Sequence, residues 1–162
     1  MTFYLLRKTR TIALSFLITV LAILLSACTN SNQLASRPQA SEHEWMTAEE
    51  VAFKAELEEI DFLTLVQKQM ALEAYMSIDE ETKIVTFDKE RAREEGHEES
   101  IIALSDEMMT YQNLMMRKMK AEGISDVTQV KVSIEPFPLA KMFKERARTH
   151  MKEAKVDKSS SN

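Results

Sequence analysis

The residues best suited to chemistry in this sequence are its methionines. Ten follow the initiator, and five of them lie between positions 108 and 119. Thioether sulfur is a soft ligand that suits Cu(I), and Met108, Met115, Met116 and Met119 have helical spacing for such ligands. The same spacing is typical of methionines that fill a helical core or line an adaptable groove for a partner helix. Core packing, partner binding and soft-metal binding are therefore the three interpretations of this methionine face.

The histidines and acidic residues give little support for an enzyme. His43 lies in a polar stretch, His97 lies among four glutamates, and His150 lies one turn before Glu153. A His-x-x-Glu pair supplies only two of the ligands that a metal site needs. The chain contains no Gly-x-Ser-x-Gly, no His-Glu-x-x-His and no phosphate loop, and it has only two glycines from which to build one. We therefore expect no catalytic residue, no cofactor and no confident metal site.

The only cysteine, Cys28, closes an apolar N-terminal segment. Basic residues at positions 7, 8 and 10 precede fifteen uncharged and mostly apolar residues, 11–25. A basic region, a short apolar region and then small residues are typical of an export signal. The apolar run is shorter than the roughly 20 residues of a membrane-spanning helix. The pattern therefore favours a cleaved signal over an uncleaved anchor.

The residues Leu25-Ser26-Ala27-Cys28 resemble the lipobox of bacterial lipoproteins. The resemblance implies cleavage between Ala27 and Cys28, a diacylglycerol thioether on the Cys28 sulfur and an acyl group on the new N-terminus. Three chains would anchor the protein essentially permanently, since two already anchor stably. An Asp after the cysteine commonly retains such proteins at the inner membrane. Here Thr29 follows, so the resemblance implies the outer membrane, facing the periplasm.

Removal of residues 1–27 as a signal peptide leaves 135 residues, which suit one domain. The signal takes three of the 21 basic residues and no acidic ones, so 18 basic and 26 acidic residues remain, a net charge of −8. An acidic body argues against nucleic acid as a partner. Residues 28–45 are polar and aperiodic, and we predict a lipidated flexible tether with a reach of about 20–25 Å. A single domain over residues 46–156 and a disordered tail over 157–162 complete the prediction.

The composition predicts long helices, because glycine and proline are rare and Ala, Glu, Lys, Met and Leu are common. We predict helices over residues 47–77, 88–122 and 138–155. The first begins at a capping box formed by Thr47 and Glu50. Its second half is apolar nearly all round, which predicts a central core element that several neighbours bury. The second helix contains Gly96, which marks a kink or a break, and Gly123 is its predicted C-cap. Its apolar positions form a seam of the a/d type: Ile101, Leu104, Met108, Tyr111 and Met115.

Two short segments read as strands. Residues 82–87 are β-branched and aromatic, and residues 127–134 alternate between apolar and polar positions. A long helix between two strands ordinarily makes them a parallel pair. The predicted fold class is therefore α+β, predominantly α, with three long helices and two short strands in the order α-β-α-β-α.

The last predicted helix carries a basic face, formed by Lys141, Lys144, Arg146, Arg148, Lys152 and Lys155. One interpretation is charge complementarity with the acidic first helix inside the fold. Single exposed pairs contribute little, but their summed field favours the arrangement. The other interpretation is contact with anionic headgroups, a cell-wall polymer or an acidic partner, which high salt would weaken.

These expectations describe a membrane-anchored envelope lipoprotein that acts as a non-catalytic protein-binding or assembly factor in the periplasm. In size and layout it resembles the small helical pilot lipoproteins of secretion systems, a resemblance of architecture and not of motif. The hypothesis predicts an apolar groove or an open strand edge left uncovered. The alternatives are a Met-rich copper-binding or stress-response lipoprotein, and an exclusion-type surface lipoprotein carried by a plasmid or phage. The expected partners are membrane lipid, through the anchor, and an envelope protein, with a homodimer left open.

Overall fold

This computed structural model describes the main chain of residues 46–159 and the side chains of residues 46–154. The predicted signal peptide, Ala27, Cys28 and the tether up to residue 45 lie outside the described residues. Five α-helices form most of the domain: α1 (Ala48–Glu59), α2 (Phe62–Ala71), α3 (Lys89–Glu94), α4 (Glu99–Glu122) and α5 (Pro138–Ser159). Two strands, β1 (Met76–Ile78) and β2 (Val85–Phe87), and two 3₁₀ helices, Leu72–Tyr75 and Val127–Gln129, complete it. The fold is α+β and predominantly α, as predicted.

The first helix begins as predicted but does not continue unbroken to residue 77. The Thr47 Oγ1 atom accepts a hydrogen bond from the Glu50 N–H, and Glu50 Oε2 accepts one from the Thr47 N–H at 2.6 Å. The helix then ends because Ile60 takes an extended conformation, with φ −80° and ψ 132°. Asp61 starts α2 by accepting a hydrogen bond from the Thr64 N–H. The prediction of one long helix is therefore wrong, and a corner separates α1 from α2.

The second predicted helix, residues 88–122, is present with a break at its glycine. Asp88 caps α3 by accepting a hydrogen bond from the Arg91 N–H at 3.1 Å. Gly96, with φ +87°, separates α3 from α4, and Gly123, with φ +64°, ends α4. Both angles lie in the left-handed region that favours glycine. The break and the C-cap were both readable from the positions of the two glycines.

The two strands form a hairpin and not a parallel pair. Met76, Ser77 and Ile78 lie opposite Phe87, Thr86 and Val85 in an antiparallel register. The strand predicted over residues 127–134 is wrong, because residues 127–129 form a 3₁₀ helix and no strand follows. The apolar residues of that segment still contact the core: Val127, Val130, Val132 and Ile134. The alternation of apolar and polar residues here comes from an extended segment that is buried on one side and has no neighbouring strand to pair with.

The core lies between the helices and is built around α4. The predicted apolar seam of that helix is confirmed, since all of its members are buried: Ile101, Leu104, Met108, Tyr111 and Met115. Buried side chains of the other elements surround it: Leu57, Leu65, Leu72, Leu139 and Phe143. Burying each large apolar side chain contributes about 1.5–3 kcal/mol, which lets this domain fold without a disulfide.

Candidate protein-binding surface

The methionine face divides between the core and its margin. Met108 is 8% exposed and Met115 is 2% exposed, whereas Met116 and Met119 are half-buried. The Met108 sulfur accepts a hydrogen bond from Gln69 Nε2 at 3.1 Å, so a buried amide already occupies it. Burial of Met108 and Met115 supports core packing for these two residues. A soft-metal site would need several sulfurs that an incoming ion can reach.

The described histidines lie apart and contact aromatic rings. The His150 ring lies 5.2 Å from the Phe62 ring, and the His97 ring meets the Tyr75 ring edge-on at 5.1 Å. Among the described side chains, 46–154, the structure contains no group of three or more His, Cys, Asp or Glu residues placed to hold a metal ion. No helix in the same range is both long enough and apolar enough to cross a bilayer.

One face of α2 is left uncovered by the rest of the domain. Leu65 and Gln69 of this helix are buried, whereas exposed residues line its outer side at helical spacing: Leu63, Gln67, Met70 and, in the following 3₁₀ helix, Ala74. Leu63 is 57% exposed and Met70 is 37% exposed. Several neighbours therefore bury one side of this segment, through Leu65 and Leu72, but it is not the predicted central element, since its other side is exposed. We call this uncharged row of Leu63, Gln67, Met70 and Ala74 the α2 stripe.

The α2 stripe combines two exposed large apolar side chains with a lack of charge. Charged residues make up 29% of the chain, yet none occupies the stripe. The nearest charge on the helix, Lys68, is held in an ion pair with Glu98 at the start of α4, with Nζ and Oε1 2.5 Å apart. Exposed apolar side chains in a row, bordered by polar groups, are typical of a surface that contacts another protein.

The hairpin leaves one strand edge open. The outer edge of β2 is covered by Asn113 of α4, whose Oδ1 accepts from the Val85 N–H at 2.8 Å and whose Nδ2 donates to the Val85 carbonyl at 2.7 Å. The sheet has only two strands within the described residues, so β1 has no strand on its other side. Ile78, at the end of β1, is 39% exposed. An open edge of this kind can receive an extended peptide.

A polar cluster fixes the junction between the 3₁₀ helix and β1. The Tyr75 hydroxyl donates to Glu95 Oε2 at 2.6 Å, and Arg91 Nε donates to Glu95 Oε1 at 2.9 Å. His97 Nε2 lies 3.0 Å from the same hydroxyl. The hydrogen bond to Glu95 raises the pKa of Tyr75, and the bonds from Tyr75 and Arg91 lower the pKa of Glu95. Both groups therefore stay in their ordinary charge states at neutral pH, and the cluster positions the chain.

A half-buried carboxyl group holds the beginning of α5. Glu107 Oε2 accepts hydrogen bonds from the N–H groups of Leu139 and Ala140 at 2.9 and 3.0 Å. Burial raises the pKa of Glu107 to about 7, against the opposing effect of these two bonds, and Glu50 and Asp106 add repulsion. Sequence reasoning missed this residue, because the bond joins positions more than thirty residues apart.

The basic face of the last helix does not act as one unit. Arg146 contacts the end of α1 through backbone carbonyls and not through the acidic side chains of that helix, since its guanidinium donates to the Leu57 and Ile60 oxygens. Lys144 is buried, and Arg148 and Lys152 lie further along the helix, with Lys152 exposed. Arg146 therefore has a structural role, whereas Arg148 and Lys152 form a separate basic end of the helix.

The described residues form a small, mostly helical α+β domain with an uncovered, uncharged row on α2. Comparison of the chain with protein-family models, curated proteins and solved structures finds no match. Three features of the chain bear on its function: the α2 stripe, the β1 edge and the N-terminal sequence.

Proposed function

We propose that the protein is a lipid-anchored envelope lipoprotein that binds another envelope protein through the α2 stripe. The observation that carries this proposal is the exposure of Leu63 and Met70 on a helix face without charge. Fully burying one such side chain contributes about 1.5–3 kcal/mol. A partner that covered the exposed parts of both would gain on the order of 2 kcal/mol from them, before any polar contact at the rim.

The anchoring half of the proposal comes from the sequence Leu25-Ser26-Ala27-Cys28. Cys28 would carry the diacylglycerol and N-acyl groups, and residues 29–45 would join it to the domain, which begins at Met46. The domain would then face the periplasm from the outer membrane. The protein needs no cofactor and no catalytic residue for this role, because its work is to hold a partner near the membrane.

The β1 edge is a second point of contact for the same partner. It offers only three residues, Met76–Ile78, so main-chain pairing there would be short. The hairpin is nevertheless held firmly, by Asn113 on one side and by the cluster of Tyr75 and Glu95 on the other. A fixed edge loses little conformational freedom when a peptide binds.

Two measurements test the two halves separately. The intact mass of membrane-extracted protein should match a chain that begins at Cys28 and carries three acyl chains. An unmodified cysteine, or a product that retains residues 1–27, would contradict the anchoring half.

Substitution tests the binding half. Leu63→Glu and Met70→Glu should each abolish co-purification of the crosslinked partner while leaving the unfolding midpoint nearly unchanged, since both side chains are exposed. Ala52→Glu, at an exposed position of α1, is the matched control and should leave co-purification intact. Equal co-purification of the partner by the three variants would contradict the proposal that the α2 stripe binds it.

A further inference from the structure

The contacts of α5 show that it runs beside α1 in the same direction. Glu107 holds the first turn of α5 and lies close enough to Glu50, in the first turn of α1, for the two carboxylates to repel. Arg146, further along α5, reaches the carbonyl oxygens of Leu57 and Ile60 at the end of α1. The start of the described chain and the start of α5 therefore lie at the same end of the domain, and α5 ends at the other.

The described side chains at the C-terminal part of α5 are exposed. Its last ring contact is that of His150 with Phe62 of α2. Residues 151–154 are all exposed, and the helix continues to Ser159. The nine residues after His150 correspond to roughly 13 Å of helix, and the described side chains among them, 151–154, are free for contact.

Charges are segregated around this extension. At about 100° per residue, positions 148, 151, 152, 155 and 158 fall within one third of the helix circumference, and they hold Arg148, Met151, Lys152, Lys155 and Lys158. The acidic positions, Glu153 and Asp157, fall on the opposite side. We call the first group the basic arc. It is a cationic surface on a chain whose net charge is −5.

Acidic side chains of the domain do not neutralise this arc where the structure describes it. Among the described side chains, Arg148 and Lys152 make no ion pair and no hydrogen bond. They stand four residues apart on one helix face, where like charges repel and destabilise a helix. An anionic surface that covered the arc would remove this repulsion.

We propose that the basic arc binds anionic phospholipid headgroups of the bilayer in which the protein is anchored. This inference rests on the lipid anchor of the proposed function and is independent of the α2 stripe. The tether reaches about 20–25 Å, and the fourteen residues of helix from Leu139 to Lys152 span about 20 Å. The domain can therefore lie with α5 along the membrane while Cys28 stays inserted.

The chemistry of the arc suits a lipid surface better than an acidic protein. Its described part places the long cationic side chains of Arg148 and Lys152 beside Met151, which is exposed, and such a mixture of charged and apolar groups matches a headgroup layer. Each Lys or Arg near an anionic bilayer is attracted to it, and the attraction falls off within a Debye length. The methionine adds apolar contact at the level of the headgroups.

A fluorescence experiment on the full chain tests this proposal. Met151→Cys would be labelled with an environment-sensitive dye, since Cys28 is the only natural cysteine and is blocked when acylated. The protein would be reconstituted in vesicles of phosphatidylcholine, with or without phosphatidylglycerol. We expect a blue shift of the dye only with phosphatidylglycerol at low salt, and its loss at high salt. The same label in Ala52→Cys, on the acidic α1, should show no difference between the vesicles.

Charge variants decide the role of the arc. Arg148→Glu with Lys152→Glu should abolish the shift, and Arg148→Gln with Lys152→Gln should reduce it without reversing the charge. Equal emission in both kinds of vesicle, or a shift that survives charge reversal, would overturn the proposal. A dye that ignores both vesicles but responds to polyglutamate would assign the arc to an acidic polypeptide and would also overturn it. No partner protein is present, so failure of the α2 stripe cannot alter this result.

Discussion

The guanidinium of Arg146 donates a hydrogen bond to the carbonyl oxygen of Leu57 at 2.6 Å, joining α5 to the end of α1. A second bond from the same group goes to the Ile60 carbonyl, where the chain turns out of the helix. The last carbonyls of a helix have no partner within it, and a cation there also interacts favourably with the helix dipole. One arginine therefore closes the corner between α1 and α2 and sets the position at which the α2 stripe begins.

Replacement of this arginine should destabilise the domain. Arg146→Met keeps the length of the side chain but removes both guanidinium donors, so the Leu57 oxygen retains only the Ile60 N–H at 3.3 Å. We expect a loss of about 2 kcal/mol in the free energy of unfolding. Urea denaturation followed by circular dichroism measures it. Arg148→Met, on the same helix but without such bonds, is the matched control and should change stability by less than about 0.5 kcal/mol. Equal losses in the two variants would show that Arg146 does not hold the corner.

Stability should fall as the pH rises towards neutrality, because of Glu107. The pKa of this group is about 7 in the folded protein and 4.5 as the ordinary value. Between these values the unfolded chain has lost the proton that the folded chain retains, so raising the pH favours unfolding. The stabilisation that comes from the proton on Glu107 is present in full below pH 4.5 and is lost by about pH 7.

Glu107→Gln isolates this contribution. The amide keeps an oxygen for the Leu139 and Ala140 N–H groups but does not titrate. We expect the variant to lose less stability than the natural protein between acid and neutral pH, by on the order of 1–2 kcal/mol after allowance for solvent screening. Urea midpoints measured across this range give the two slopes. Glu56→Gln, at an exposed position of α1, is the control and should leave the slope of stability against pH unchanged. If Glu107→Gln has the same slope as the natural protein, Glu107 is not the source of the pH dependence.

Local signals in the sequence predicted the ends of several elements. The capping box of Thr47 and Glu50, and the glycines at 96 and 123, act within a few residues of the chain, so reading them required no knowledge of the tertiary fold. The corner at Asp61 also had a local signal, an N-cap residue three positions before Thr64. It was missed because the apolar pattern continues through it.

Long-range contacts could not be predicted from the sequence. The bonds of Arg146 to Leu57 and of Glu107 to Ala140 join residues that are 89 and 33 positions apart. The exposure of one side of α2 could not be predicted either, because an apolar helix face has the same sequence pattern whether or not a neighbour covers it. Leu63 became a candidate for binding only when its exposure was known.

Gln69 carries a polar group that the core does not satisfy. The residue is 6% exposed, its amide nitrogen donates to the Met108 sulfur, and its Oε1 has no donor among the described residues. Gln69→Leu removes this buried oxygen, and we expect the free energy of unfolding to rise by about 1 kcal/mol. Thermal and urea unfolding measure the change. Gln67→Leu, exposed two positions earlier, should be nearly neutral, and a loss of stability in the Gln69 variant would refute this prediction.

Asn113 should control the hairpin locally. Asn113→Ala removes both bonds to Val85, so we expect hydrogen exchange over residues 76–87 to accelerate and stability to fall by about 1–2 kcal/mol. Asn113→Asp keeps an acceptor for the Val85 N–H but has no donor for the carbonyl, and it should have an intermediate effect. Exchange measured by mass spectrometry distinguishes a loosened hairpin from global unfolding. Unchanged exchange in the alanine variant would show that Asn113 does not cover the β2 edge.

The proposed binding function depends most on whether a partner protein covers the α2 stripe in living cells. A photo-crosslinking amino acid at position 63 of the full chain tests this directly, with the same amino acid at Thr110, an exposed position of α4, as the control. We predict one discrete crosslinked product from position 63 and none from position 110. Absence of a product at position 63, or the same products from both positions, would contradict the proposal that this face binds a protein.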